Sequence, residues 1–130
     1  IKPSLEKGYI VITDRYVAST IAYQSYGRGL DLRLIKYMNR IATDGLYPDI
    51  TFMLDITPEQ SMERLLNRVA TTSKKLDRIE EEKIDFFKKV RKGYLKLAKA
   101  EPEKFKILDA DEDIEEIHRK IIFHLKDFIS

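Results

Sequence analysis

Residues 9–24 of the chain read YIVITDRYVASTIAYQ. The first part is a short apolar run rich in β-branched side chains, and it stops at Asp14 and Arg15. Such a run is typical of a buried parallel strand, and the hydroxyl, phenol and amide groups that follow it indicate a helix that starts immediately. In doubly wound α/β folds, the carboxyl ends of the strands bring polar groups to a ligand-binding crevice. The stretch therefore predicts an α/β fold with a functional site at the end of this strand.

The two charged residues at the end of the predicted strand suit phosphate chemistry. The planar guanidinium of Arg15 can hold a phosphate through paired hydrogen bonds. The Asp14 carboxylate can position a magnesium ion, its water shell or the attacking group. The alternative is a buried Asp–Arg ion pair that caps the following helix, and the dipeptide leaves both interpretations open.

The predicted helix places its polar side chains on one face. At i, i+4 spacing, Ser19 lies over Tyr23 and Thr20 lies over Gln24. A carboxamide can both donate to and accept from the edge of a pyrimidine base. An ordinary solvated helix surface would show a similar pattern, but the charged pair next to it favours a binding site.

Several segments, taken together, resemble the bacterial thymidylate kinase family. The acceptor-site segment of that family is similar to DRY at 14–16, ST at 19–20, YQ at 23–24 and GRGLD at 27–31. Its later strands, its lid and its last strand are similar to PDITFMLD at 48–55, LDRIE at 76–80, FF at 86–87, GYL at 93–95 and ILDA at 107–110. The resemblance covers essentially the whole chain, and its motifs are specific in combination.

The resemblance implies a three-layer α/β fold with a parallel sheet, of the P-loop nucleoside monophosphate kinase type. The Gly-rich loop ending in Gly-Lys-Ser/Thr, which cradles the donor phosphates, does not occur in the sequence. We therefore expect residues 1–130 to be the C-terminal part of a single domain that requires an N-terminal segment with this loop. In the family's sheet order, the strand before that loop lies between the strands ending at Asp14 and Asp55.

The resemblance also implies a reaction, which is phosphoryl transfer from ATP to dTMP. It gives dTDP and ADP for dTTP biosynthesis, and Mg²⁺ enters with ATP. The expected catalytic residues are Asp14, Arg15 and Arg78. The expected substrate-binding residues are Arg15, Ser19, Thr20, Tyr23 and Gln24. Tyr23 would lie against the sugar and exclude a 2′-hydroxyl, Thr20 and Gln24 would face the base, and Asp14 would contact the magnesium.

A basic segment between two predicted helices has the composition of a lid over a triphosphate. The resemblance places this lid at about residues 68–80, where small polar residues interrupt the helical pattern. Lid closure would bring positive charge to the transferring phosphoryl group and exclude water. The expected ATP-contacting residues are Arg68, Lys74, Lys75 and Arg78. A solvated charged loop is the alternative for the lysines, and Arg78 is the expected catalytic residue of the lid. Further along, Tyr94 is expected near the nucleotide or the metal.

The remaining pattern alternates helices and strands. Asp31 can cap an amphipathic helix that Gly45 ends. The apolar positions of this helix are Leu34, Ile35, Met38, Ile41 and Ala42. Strands are predicted over 50–54 and 105–108, and the capping box TPEQ at 57–60 predicts the start of a helix between them. This alternation favours a single α/β domain.

The composition argues against two classes of protein. The chain has 24 Lys+Arg and 22 Asp+Glu, a net charge of +2, so it lacks the large basic field that nucleic-acid binders use. No apolar run approaches the length that spans a membrane. The absence of cysteine is usual in a reducing cytosol, and we expect a cytoplasmic protein.

Two alternatives to dTMP phosphorylation remain open at the level of sequence. One is a kinase of the same fold that acts on another pyrimidine monophosphate. The other is a non-catalytic fragment of this fold that binds a partner chain or dimerises through residues 31–43. For the complete enzyme we expect a homodimer.

Overall fold

The computed structural model describes the chain over residues 1–68 and 77–129. Its elements, in order, are helices α1 (Lys2–Glu6) and α2 (Val17–Thr20), a π-helical segment (Ile21–Gly27), helix α3 (Leu32–Ala42), strand β1 (Thr51–Asp55), helices α4 (Pro58–Arg68) and α5 (Asp77–Ala100), strand β2 (Phe105–Asp109) and helix α6 (Ile114–Ile129). None of the helices in these ranges is long and apolar enough to cross a membrane.

Strands β1 and β2 form a parallel pair. They are in register from Thr51 opposite Phe105 to Asp55 opposite Asp109. The strands predicted over 50–54 and 105–108 are therefore confirmed to within one residue at each end. Because parallel strands end at the same edge of a sheet, the two terminal residues Asp55 and Asp109 lie next to each other.

The predicted strand over residues 9–14 is not formed, so this prediction is wrong for the chain as it stands. Tyr9, Ile10 and Ile12 are 65%, 72% and 89% exposed, and the sheet of the described residues contains only β1 and β2. A strand is stable only where a neighbour accepts its backbone hydrogen bonds and covers its side chains. The β-branched, apolar side chains of these residues are typical of a buried strand, but the described chain contains no strand that pairs with them.

Local capping signals are confirmed. The Asp31 side chain accepts a hydrogen bond from the Leu34 backbone N–H at 2.8 Å, which satisfies one free donor at the start of α3. At the start of α4, the Gln60 N–H donates to Thr57 Oγ1 and the Thr57 N–H donates to Gln60 Oε1, each at 3.2 Å. This is the reciprocal arrangement of a capping box, with Pro58 at the first helical position.

Helix α3 buries less of its apolar face than the periodicity predicts. Ile35 and Asn39 are buried, and the Asn39 side-chain amide donates to the Val17 carbonyl at 3.1 Å. Four other large side chains of this helix are more than half exposed, namely Leu34, Tyr37, Met38 and Ile41. The apolar stripe is wider than the surface that α2 and the π-helical segment offer it, so one side of the stripe faces outward.

Candidate active site

Arg15 adopts a backbone conformation that is unusual for a side chain with a Cβ. Its φ is +67°, in the left-handed region where non-glycine residues are uncommon and where strain often accompanies function. Its Nε donates to the Ser19 hydroxyl at 2.8 Å, and Ser19 is buried. Within the described part of the chain, no protein acceptor binds its two terminal nitrogens. The outer edge of the guanidinium is therefore available for a phosphate.

Tyr23 holds the same guanidinium from a second direction. The Arg15 Cζ lies 4.4 Å from the centroid of the Tyr23 ring, in a cation–π contact. The Tyr23 ring also makes T-shaped contacts with Phe86 and Phe87 of α5, at centroid distances of 5.9 and 6.4 Å. The structure thus brings Ser19 and Tyr23, which the sequence predicts on one helix face, together with Arg15 just before the helix. It adds two aromatic residues that the sequence analysis did not assign to the site.

The helix that carries these residues changes type within the site. From Ile21 to Gly27 it is a π-helix, and the Arg28 N–H donates to the Tyr23 carbonyl five residues earlier, at 3.0 Å. The i, i+4 geometry expected from the sequence therefore holds only up to this segment. Single π-turns inside helices are rare and often occur at functional sites.

Gln24 and Thr20 lie on the more open side of this helix. The Gln24 carboxamide oxygen accepts a hydrogen bond from Arg28 Nη1 at 3.0 Å. Arginine has only donors, so the atom that faces it must be the oxygen, and the Gln24 NH₂ is left to donate to a ligand. Thr20 is exposed. Arg28 stands in the GRGLD segment quoted above, and only its i, i+4 spacing from Gln24 could have indicated this contact.

Asp14 is exposed beside Arg15. The buried, helix-capping Asp–Arg pair that the sequence left open is not found, because both residues are exposed and no ion pair joins them in the described structure. Among the described residues, no group of three or more Asp, Glu, His or Cys side chains comes together as a metal site. This donor set fits Mg²⁺ only in the way that nucleotide enzymes use it, with one or two carboxylates and the rest of the coordination from phosphates and water.

Comparison with known proteins assigns the chain to a family. A family model described as thymidylate kinase matches residues 1–121. The chain belongs to the thymidylate kinase family. The thymidylate kinase of a Sulfurihydrogenibium species is 49% identical over 126 residues, which are 97% of this chain and 58% of that protein. The thymidylate kinase of Caldanaerobacter subterraneus is 43% identical over 129 residues, 99% of this chain and 59% of that protein.

A solved structure supports the fold of the family. The crystal structure of thymidylate kinase from Ehrlichia chaffeensis superposes with a TM-score of 0.70 at 35% identity, covering 97% of this chain and 55% of that chain. The α/β fold of the nucleoside monophosphate kinase type is therefore confirmed. The chain spans a little over half the length of the thymidylate kinases that it matches.

A second group of charged residues lies where β1 ends. Arg91 of α5 makes a bidentate ion pair with Asp55. Arg91 Nε donates to Asp55 Oδ1 and Arg91 Nη2 donates to Asp55 Oδ2, both at 2.7 Å. The hydrogen bonds that Arg91 donates to the Asp55 carboxylate raise the pKa of Arg91 above its ordinary value, so the guanidinium stays charged. This contact ties α5, which carries the two phenylalanines next to Tyr23, to the end of the sheet.

Tyr94 lies in the wall of a cavity beside this ion pair. The cavity has a volume of about 610 Å³. Its lining includes Met53, Asp55, Met62, Phe87 and Tyr94. The expected contact of Tyr94 with a nucleotide or a metal remains a prediction, and the structure places the phenol at an open, largely apolar surface.

The lid residues of the predicted thymidylate kinase site fall largely outside the described structure. Lys74 and Lys75 lie outside the described residues, and so do the side chains of Arg68 and Arg78. The backbone places Arg68 at the end of α4 and Arg78 in the first turn of α5. Their roles toward ATP stay predictions.

Proposed function

We propose that this chain provides the acceptor side of an enzyme that transfers the γ-phosphoryl group of ATP to dTMP, giving dTDP and ADP for dTTP synthesis. The observation that supports this best is the guanidinium of Arg15, which Ser19 and Tyr23 orient while its terminal nitrogens stay available. Membership in the thymidylate kinase family supports the same reaction. Since the chain spans only part of its relatives, the activity is proposed for the complete protein.

In this proposal each residue of the acceptor site has one task. Arg15 binds the phosphate of dTMP, Tyr23 lies against the deoxyribose, and Thr20 and Gln24 face the base. Catalysis then depends on alignment of the two phosphates and on neutralisation of the charge that moves between them. Mg²⁺ bound with ATP would supply part of that neutralisation, and Asp14 is the residue of this site that would hold the ion or its waters. Arg78, and with it Arg68, Lys74 and Lys75, would face the donor phosphates.

The orientation of Gln24 supports thymine over cytosine as the base. With its oxygen bound to Arg28, the carboxamide offers an N–H donor. In the proposed binding mode this donor faces the 4-position of the base. Thymine and uracil carry a carbonyl acceptor there, whereas cytosine carries an amino donor. This observation argues against a kinase for cytidylates and leaves dUMP as the second candidate substrate.

The direct test is a coupled assay of ADP release by the full-length protein with ATP, Mg²⁺ and a panel of nucleotides. We expect dTMP to give the highest kcat/KM, dUMP to follow and dCMP to be poor. Absence of turnover with dTMP would contradict the proposed function, and turnover that favours another pyrimidine would replace dTMP as the substrate.

Replacement of Arg28 by methionine tests the base assignment. The variant releases the Gln24 amide, which can then turn its oxygen toward an amino group. We expect the ratio of kcat/KM for dCMP to that for dTMP to rise by about fivefold, the equivalent of one hydrogen bond of about 1 kcal/mol. Arg33→Met, at an exposed position of α3, is the matched control and should leave the ratio unchanged. An unchanged ratio in Arg28→Met would show that Arg28 does not orient the amide.

We also propose that the protein is a homodimer, formed through the exposed apolar side of α3. This surface consists of Leu34, Tyr37, Met38 and Ile41, each more than half exposed. Contiguous apolar patches of this kind on soluble proteins mark interaction sites. A two-fold symmetric dimer would bring the same stripe of both copies together, which matches an amphipathic helix with one apolar side left over.

Met38→Glu in the full-length protein is expected to weaken this dimer by roughly tenfold or more, because each copy would bury an unpaired carboxylate. Analytical ultracentrifugation over a concentration series measures the effect. Lys36→Glu lies on the opposite side of the same helix and controls for the added charge. Equal dimer affinity for both variants would place the interface elsewhere. A dimer that lacks all kinase activity would favour the non-catalytic alternative.

Finally, we propose that residues 1–130 work together with a preceding segment that carries the Gly-rich loop, in a single cytoplasmic domain. Three features support the requirement: the exposed side chains of Ile10 and Ile12, the edge of β1 that has no partner in the described sheet, and the largely apolar cavity that β1 lines. In the family's sheet order, the strand that precedes the loop would lie between residues 9–14 and β1 and would pair with both.

A further inference from the structure

The π-helical segment and α5 approach each other closely at two glycines. A Cβ on Gly27 would lie 2.7 Å from Cε2 of Phe86 and 3.0 Å from Cγ2 of Val90. A Cβ on Gly93 would lie 2.7 Å from Cδ2 of Tyr26. The Phe86 ring of α5 therefore packs against Gly27 of the π-helical segment, and the Tyr26 ring of that segment packs against Gly93 of α5. Because neither glycine has a Cβ, each ring can approach the backbone of the opposite helix closely.

Only one of these two rings reaches the candidate active site. The Phe86 ring, seated over Gly27, meets the Tyr23 ring at an interplanar angle of 67° and is itself supported by Phe87 at 5.5 Å. Tyr23 in turn lies 4.4 Å from the Arg15 guanidinium. Tyr26, whose ring packs against Gly93, makes a cation–π contact with Lys96 at 5.4 Å, and within the described structure no ring contact joins it to Tyr23.

We propose that Phe86 is a positioning residue for the acceptor nucleotide. It acts through Tyr23: the contact between the rings restricts rotation of the Tyr23 side chain, and the oriented ring then holds Arg15 and offers a surface to the sugar. The proposal rests on the proposed function where it assigns the sugar and phosphate contacts. The physical basis is that T-shaped ring pairs have a preferred geometry, so a flexible aliphatic side chain of similar volume cannot replace the ring.

The test uses the full-length protein with Phe86→Leu, which keeps an apolar side chain and removes the ring. Tyr26→Leu is the matched control because it removes a ring from the same helix interface without touching Tyr23. We expect Phe86→Leu to raise KM for dTMP by about tenfold while KM for ATP matches that of the control. The preference for dTMP over the ribonucleotide should fall in Phe86→Leu and persist in Tyr26→Leu.

A second variant and an NMR measurement without substrate distinguish failure of the Phe86 proposal from failure of the proposed function. Gly27→Ala keeps all aromatic residues but displaces the Phe86 ring, so it should change the same two parameters in the same direction. By NMR, the ring-current shift that Tyr23 induces in the Arg15 side-chain protons should shrink in Phe86→Leu and not in Tyr26→Leu. If both variants give equal ring-current shifts and equal sugar selectivity, Phe86 only packs. If the wild-type protein does not phosphorylate dTMP, the proposed function fails, and the ring-current measurement still decides whether Phe86 orients Tyr23 and Arg15.

Discussion

Replacement of Arg15 by alanine in the full-length protein is expected to lower kcat/KM for dTMP by roughly two orders of magnitude or more, about 3 kcal/mol of transition-state stabilisation. The reason is that Arg15 is the oriented cation of the acceptor site, fixed by Ser19 at 2.8 Å and by the ring of Tyr23. Without it, the acceptor phosphate loses a charge-assisted pair of hydrogen bonds and its alignment with the donor. Steady-state kinetics with dTMP varied at saturating ATP measure the loss.

Two further variants show whether the effect depends on the shape of the guanidinium. Arg15→Lys should recover little activity, because an ammonium has neither the planar fork nor the face that stacks on Tyr23. Arg33→Ala removes an exposed arginine away from the site and should behave like the wild type. An Arg15→Ala enzyme within about threefold of wild type would refute the phosphate-clamp role.

The 130-residue chain, produced alone, is expected to be inactive and to unfold without cooperativity. Strand β1 is paired on one side only in the described sheet, and the residues of the predicted strand at 9–12 are largely exposed. Each unpaired polar group that becomes buried costs about 1 to 3 kcal/mol, and domains are stable by only about 5 to 15 kcal/mol. A few such groups therefore remove the stability of the domain.

Circular dichroism during thermal unfolding, together with the dTMP assay, tests this expectation. The control is the same chain mixed with, or fused to, a segment that contains the Gly-rich loop, which should restore both a cooperative transition and activity. Cooperative unfolding combined with dTMP phosphorylation by the 130-residue chain alone would overturn both the requirement for the segment and the sheet order behind it.

The elements that sequence predicted well depend on local interactions. The Asp31 cap and the Thr57–Gln60 capping box involve residues three positions apart, so their geometry follows from the helix itself. Strands β1 and β2 are short apolar runs between turn signals, and each finds its partner within the chain. The predictions that failed depend on distant neighbours. The apolar residues at 9–12 and the outer side of α3 are exposed because nothing in the described chain covers them.

For the candidate site, too, the local spacing of the residues was predicted from the sequence, whereas the orientation of their side chains was not. The sequence alone placed Ser19 and Tyr23 about one helical turn apart on a face close to Arg15, because side-chain spacing on a helix is set by the backbone. It also identified the family, since the motifs span the whole chain. Only the tertiary structure decided how these groups are oriented: the left-handed backbone of Arg15, the π-helical turn, and the rings of Phe86 and Phe87 against Tyr23. These features arise from close packing of two helices about sixty residues apart in sequence, and no local periodicity encodes contacts over that distance.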